Sequence, residues 1–361
     1  MSRRAPVGRL LLSALALALS ACGSGPDGPK SVREPTASEI DKAKAFLAEN
    51  STPLPAGWRF ERIGFEGEGH LRVGLARRKA PRGTVVFVPG YTSSPELASD
   101  FLAAWHEMGF EVASLDLPGQ GGSMRREDDY QKPYTGDYAL YGRAVAAGAE
   151  HIDAVRASRG PLIIAGDSFG AHSILRAAAD TGLAEADALF VLVPAVIPAL
   201  EAPKWLVKLV VGHAVRAGRG DDYMDGQGRW SADDFAAYDF SKCGNREDRN
   251  FKNAALAILR PELRVGGPTN AWGLGMVRSG EALMRSDTLA DFDRPVRMVT
   301  AGLDEIVINR YAERLCRERM GTCALTRIED ATHCVYLEDD PTQARVHEAL
   351  MQLSTRLAES G

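Results

Sequence analysis

The sequence has no dense run of lysine or arginine, and its formal charge is −5. Phosphate-backbone binding needs a basic face, so a nucleic-acid partner is excluded. Long apolar runs are also missing. Residues 10–19 are apolar but too short to span a bilayer, and a polytopic membrane protein is not indicated. Cysteine is scarce: five residues, none in a C-x-x-C spacing, so neither a metal site nor a cofactor is expected from them. No internal repeat and no long low-complexity tract occurs. What remains is a chain of 361 residues with 45% apolar and 25% charged residues, enough to bury one large α/β core with an inserted piece.

The N-terminus carries the first positive signal. Arg3, Arg4 and Arg9 precede the apolar run, and "LSAC" closes it at Cys22, the layout of an export signal that the mature protein loses. "LSAC" resembles the lipobox of bacterial lipoproteins, in which the cysteine is acylated and becomes the new N-terminus. That resemblance implies Cys22 as a lipid anchor, and Gly23 after it implies the outer membrane, facing the periplasm. An ordinary secretory signal with a chance cysteine is the alternative. Removing residues 1–21 takes away three arginines and no acid and lowers the charge from −5 to −8, so lipid chains rather than electrostatics would supply membrane attachment. In an oxidising compartment Cys316 and Cys323 are placed to bridge a helix end and the next strand, with free thiols the equal alternative.

Beyond a Gly, Pro and Ser-rich tether the chain alternates. A helix is expected over 38–49 with Ser38 as N-cap. Strand signals "RFERIGFEG", "HLRVGLARR", "TVVFVPG", "FEVASLDLPG", "PLIIAGDS" and "ALFVLVPA" then interleave with helices near 95–108, 137–157 and from Ser168. Continuous β-branched runs between helices predict a mostly parallel, doubly wound α/β sheet. The alternation stops after Val193 and resumes with "PVRMVTAG", a helix near 309–319, "CALTRIED" and a helix near 342–357. The organisation expected is a signal at 1–21, a tether at 22–37, core at 38–195, an inserted helical lid at 196–290 and core again at 291–361.

Gly166-Asp167-Ser168-Phe169-Gly170 lies between the strand "LIIA" and a helical stretch. G-x-S-x-G in that setting is a nucleophile elbow, where a tight strand-to-helix turn exposes the serine Oγ over a helix N-terminus. Such a serine needs a base, and the base needs an acid, in the chain order Ser, acid, His. His333 falls in the loop after the last strand, whereas His347 sits within the final helix as an expected surface residue. Asp304, just past Ala301-Gly302, is the candidate acid, with Glu305 and Asp330 as competitors and helix capping as its bland alternative. His70, His106, His151, His172 and His213 are expected to be surface or packing residues. The N–H of Phe169 and that of Tyr91, in "PGYTSS", are the candidate oxyanion donors, and the Tyr91 ring is an equal candidate for lining an acyl pocket.

With these motifs the chain resembles the lysophospholipase L2 and monoacylglycerol lipase branch of the α/β-hydrolases. The resemblance covers residues 60–355 and includes "GFEVASLDLPGQGGS", similar to the D-x-x-G-x-G-x-S turn of that family, "HCVYLEDD" around His333, and "RPELRVGGPTNAW" at 260–272, similar to a lid segment. Asp116, Gly119 and Gly121 are then expected to shape a loop. Where most members have His-Gly before the oxyanion residue, this chain has Pro89-Gly90, which leaves the hydrogen bonds of that loop open. The resemblance implies a serine ester hydrolase for lysophospholipids or monoacylglycerols, with "KWLVKLVVGHAV" at 204–215 docking on a lipid interface or receiving the acyl chain, or else simply packing over the site. A short-chain carboxylesterase, an aminopeptidase-like hydrolase and a non-catalytic envelope ligand-binding protein are the other readings. The last would be free to lose one of the three residues.

Overall fold

The computed structural model describes residues 32–134, 136–200, 202–233, 242–285 and 287–360. Cys22 and the expected export signal lie outside them. Strands β1 (Arg59–Gly64), β2 (His70–Ala76), β3 (Thr84–Val88), β4 (Glu111–Leu115), β5 (Leu162–Asp167), β6 (Ala188–Leu192), β7 (Val296–Ala301) and β8 (Cys323–Ile328) form one sheet in the order β1-β2-β4-β3-β5-β6-β7-β8. Every residue of β3, β4, β5 and β6 is buried, as continuous apolar runs require when both faces are covered. From β4 to β8 all neighbours are parallel. β1–β2 and β2–β4 are antiparallel, and for β1–β2 the five connecting residues allow a hairpin but no crossover.

Helices cover both faces. α1 (Ala37–Asn50) and α2 (Ser99–Glu107) come first, then α3 (Tyr138–Val155) and α4 (Ser168–Thr181). The insertion holds α5 (Lys204–Ala214), α6 (Glu247–Leu259) and α7 (Asn270–Arg285), and α8 (Asn309–Arg319) and α9 (Asp340–Ser360) follow. α3, α4, α7 and α8 contribute to one apolar cluster, and α2 and α9 to the cluster on the opposite face. The chain therefore has the α/β-hydrolase architecture with helices on both sides. No helix among the described residues is long and apolar enough to cross a membrane.

Three details differ from the sequence reading. The N-cap of α1 is Thr36, not Ser38, because Thr36 Oγ1 accepts the Glu39 N–H while the Glu39 carboxylate accepts the Thr36 N–H. α2 starts at Ser99 rather than at 95, since Ser94 first closes a turn by accepting the Leu97 and Ala98 N–H groups. Residues 33–50 also dock on the insertion: the Arg33 N–H donates to Ser231 Oγ, Glu34 pairs with Arg264, and Phe46 meets Phe251 edge-on at 4.7 Å.

Candidate active site

β5 ends in a turn that puts Ser168 at φ +51°, a region L-residues rarely occupy and one that costs about 1–3 kcal/mol. The flanking glycines make the turn sterically feasible. A Cβ on Gly170 would lie 2.0 Å from the Val88 carbonyl oxygen, and one on Gly166 2.7 Å from the same atom. The turn opens directly into α4, so the Phe169 N–H is a first-turn donor with no helical carbonyl four residues behind it.

His333 lies in the loop after β8 and is 4% exposed. Its Nε2 is 2.8 Å from Ser168 Oγ, and its Nδ1 is 2.8 Å from Asp304 Oδ2. The carboxylate selects the tautomer: Nδ1–H donates to Asp304, which leaves Nε2 to accept the Ser168 hydroxyl. The Asp304 side chain is fully buried, and its other oxygen accepts the Ile306 and Val307 N–H groups at 2.9 Å each. Asp304 thus caps its turn and orients His333 at once, so capping and orienting are not alternatives here. Glu305 is two-thirds exposed and 3.6 Å from Lys242, and Asp330 is paired with Arg345. Neither reaches the imidazole.

The remaining histidines divide by burial. His172 is completely buried between the Ala195 carbonyl and Ser279 Oγ, and burial pushes its pKa down to about 3. His347 is not the surface residue expected. It packs on Phe101 and accepts the Trp105 Nε1–H at 3.1 Å, and burial brings it down to about 4. The reason is helical phase: Val346 and Leu350 turn the same face of α9 toward the sheet.

Tyr91 lies in the loop after β3. Its ring stacks at 4.5 Å on Trp272 and meets Phe169 edge-on at 6.2 Å, and its hydroxyl donates to the Gly266 carbonyl at 2.9 Å. Trp272 and Gly266 both belong to the segment at 260–272, so the Tyr91 side chain ties the loop after β3 to the insertion. In the other motif Asp116 is buried and accepts from Arg72 and from the Gly122 N–H, while Gly119 and Gly121 take φ +86° and +55°. These three shape the loop after β4.

Two features escaped the sequence. Asp167 and Gln120 bond the backbone of the loop around Gly90. Each sits inside a motif already singled out, yet nothing in its spacing indicates that contact. Cys243 is bonded to Cys334, next to His333, across 91 residues, a pairing no spacing rule reports. Cys316 and Cys323 form the local bridge that was one of the two expectations.

Residues 79–340 match the family described as Hydrolase_4, serine aminopeptidase, S33. The chain belongs to that family, and it is a hydrolase of the α/β-hydrolase superfamily. It is 28% identical over 286 residues to lysophospholipase L2 of Escherichia coli strain K12, covering 77% of this chain and 81% of that protein. Its fold is similar to a monoglyceride lipase from Saccharomyces cerevisiae, with TM-score 0.65, 15% identity and coverage of 84% of this chain and 97% of that one. A monoacylglycerol lipase from Paleococcus ferrophilus gives TM-score 0.59 at 16% identity over 80% of this chain and 99% of its own.

Proposed function

We propose that this protein is a serine ester hydrolase in which Ser168 is the nucleophile, His333 the general base and acid, and Asp304 the residue that holds the imidazole. The observation carrying this reading is the unbroken relay from Asp304 through His333 to Ser168, with 2.8 Å at each step. Ser168 Oγ attacks the ester carbonyl carbon while its proton passes to His333 Nε2, and Asp304 stabilises the imidazolium without taking the proton. The N–H groups of Phe169 and Tyr91 meet the charge that develops on the carbonyl oxygen. Collapse breaks the ester C–O bond, His333 gives its proton to the departing alkoxide, and an acyl-Ser168 remains. Water then gives a proton to His333 as it attacks the acyl carbon; collapse breaks the bond to Ser168 Oγ, His333 returns the proton to that oxygen, and the carboxylic acid leaves.

The substrates proposed are lysophospholipids or monoacylglycerols. The name of the E. coli relative supports this, as do Trp205 and Leu209, which are 68% and 52% exposed and one turn apart on α5 of the insertion. Such a stripe suits a lipid surface or an acyl chain. The family description raises peptide cleavage instead, which calls for a carboxylate to hold a substrate ammonium. Among the described residues, Asp167 next to Ser168 in the chain is engaged by the Gly90 N–H, and Asp304 behind the imidazole is engaged by His333, so neither is free to hold that ammonium. Esters are therefore favoured over aminoacyl amides. A fluorophosphonate probe should label the wild-type chain and not Ser168→Ala. A panel of lysophospholipid, monoacylglycerol, short p-nitrophenyl ester and aminoacyl amide substrates should favour the first two, and strong amide with negligible ester turnover would overturn the assignment.

We also propose that Cys22 is acylated and holds the enzyme on the outer membrane, facing the periplasm. The mature N-terminal peptide should carry acyl mass that Cys22→Ala lacks. An unacylated wild-type N-terminus would refute the anchor.

A further inference from the structure

An oxyanion donor works only if its N–H is already aimed when charge develops. The Tyr91 N–H shares one planar trans peptide with the Gly90 carbonyl, so whatever fixes that carbonyl also fixes the N–H on the far side of the plane. The Gly90 carbonyl accepts from Gln120 Nε2 at 2.9 Å and from the Ser93 N–H at 3.2 Å. Gln120 Nε2 also reaches the Pro89 carbonyl at 3.3 Å, and Asp167 Oδ1 accepts the Gly90 N–H at 2.9 Å. The peptides on both sides of Gly90 are therefore gripped from two directions by side chains that are 1% and 4% exposed. A Cβ on Gly90 would lie 2.6 Å from Asp167 Oδ2 and 3.2 Å from the Ser168 Cβ, so only glycine lets this backbone approach Asp167 and Ser168 so closely.

Placement adds to the contact. Asp167 is the last residue of β5 and immediately precedes Ser168, whereas Gln120 comes from the loop after β4. Asp167 thus ties the strand carrying the nucleophile, and with it the Phe169 donor, to the loop carrying the second donor. Burying a carboxylate here is unfavourable: desolvation pushes it up to about 6, with the Gly90 N–H working the other way. An apolar side chain would avoid that penalty but leave the Gly90 N–H unpaired.

We propose that Asp167 and Gln120 are positioning residues that aim the Tyr91 N–H at the substrate oxyanion. The inference rests on the serine-hydrolase reading of Ser168. The test uses p-nitrophenyl butyrate turnover per active site, together with inhibition by an alkyl trifluoromethyl ketone. That ketone adds Ser168 Oγ to its carbonyl carbon, sends the hydroxyl proton to His333, and leaves an oxyanion in the same hole. Losing one oxyanion donor outright costs about 100- to 1,000-fold, so a mis-aimed one should cost about 10- to 100-fold.

Asp167→Ala and Gln120→Met should each lower kcat by that factor while KM changes less than about twofold, because the donor acts on the transition state. The ketone should weaken by the same factor as kcat/KM. Asp167→Asn keeps an acceptor oxygen and should stay within about threefold of wild type, a rescue that a loss of fold would not produce. Circular dichroism and active-site titration confirm that the folded fraction is what is compared. Wild-type kcat and ketone affinity in both Asp167→Ala and Gln120→Met would overturn the proposal, as would equal losses in Asp167→Asn and Asp167→Ala. Ser168→Ala separates the two readings. If it retains turnover, the serine-hydrolase reading itself fails; if it is inactive while the other variants are unimpaired, only the positioning inference fails.

Discussion

The two sides of Ser168 are held by different physics. Beneath it lies the sheet, where β3, β5 and β6 present uninterrupted buried residues in parallel register. Above it lies the insertion, held by contacts between residues far apart in the chain: Tyr91 to Gly266, His172 to Ser279, the Gly244 N–H to Thr332 Oγ1, and the bridge from Cys243 to Cys334. Repeating apolar burial leaves a period in the sequence, and single long-range polar or covalent pairs leave none. The sheet half should therefore govern whether catalysis exists, and the insertion half how firmly the site is closed.

The largest effect expected tests the sheet half. Asp304→Asn keeps the shape of the turn but presents an amide to His333 Nδ1, which favours the tautomer that cannot accept the Ser168 proton. Turnover should fall about 1,000- to 10,000-fold with the fold intact, measured as kcat on a soluble ester beside a thermal melt. Activity near wild type would remove Asp304 from the relay.

How much could be read beforehand follows the same division. The strand runs, the elbow at Ser168 and the loop positions of Asp304 and His333 were legible because each is a local pattern at a defined place in an alternating α/β chain. Asp304 and Glu305 were not separable by spacing, and burial separates them: one carboxylate is enclosed beside His333, the other points into solvent. Thr36 and Ser38 are both residue types that cap helices, and only the reciprocal Glu39 bond picks out Thr36. A place inside the last helix does not reveal which way His347 faces, and the phase of α9 turns it inward onto Phe101 and Trp105. Asp167 and Gln120 lay inside known motifs, but their partner is backbone from another strand's loop, which no residue pattern encodes.

A smaller effect sharpens the covalent part of the comparison. The two disulfides differ in what they enclose: Cys316–Cys323 closes a sequence separation of 7, and Cys243–Cys334 one of 91. If each acts by restricting the unfolded chain, the longer loop should contribute about 2 kcal/mol more. Replacing Cys243 and Cys334 together by serine should therefore lower unfolding stability more than replacing Cys316 and Cys323, as read from denaturant melts. It should also loosen the His333 loop and lower kcat, whereas the local pair should leave kcat unchanged. Equal stability losses would show that native-state contacts rather than chain entropy set the difference.

The smallest effect concerns acid and the junction between α4 and α7. His172 has its pKa lowered to about 3 from the ordinary 6.5, so between those values the unfolded chain binds a proton that the folded chain refuses. Its stabilising contribution is complete above pH 6.5 and is lost as pH falls toward 3, by about 1 kcal/mol at pH 5.5 for a group this deeply buried. His347, at about 4, acts in the same direction. Asp167 opposes them: raised to about 6 from the ordinary 3.8, it costs the folded chain stability as pH rises from 3.8 toward 6 and gives that stability back as pH falls over the same range. The wild-type curve therefore mixes both signs, and a difference between variants isolates the histidine. His172→Gln should be less stable than wild type at pH 8, where it loses the Ala195 and Ser279 bonds, yet its melting temperature should fall less between pH 7 and 5. Because His172 spans the sheet half and the insertion, parallel acid curves for the two proteins would mean that this junction opens before the histidine takes up its proton.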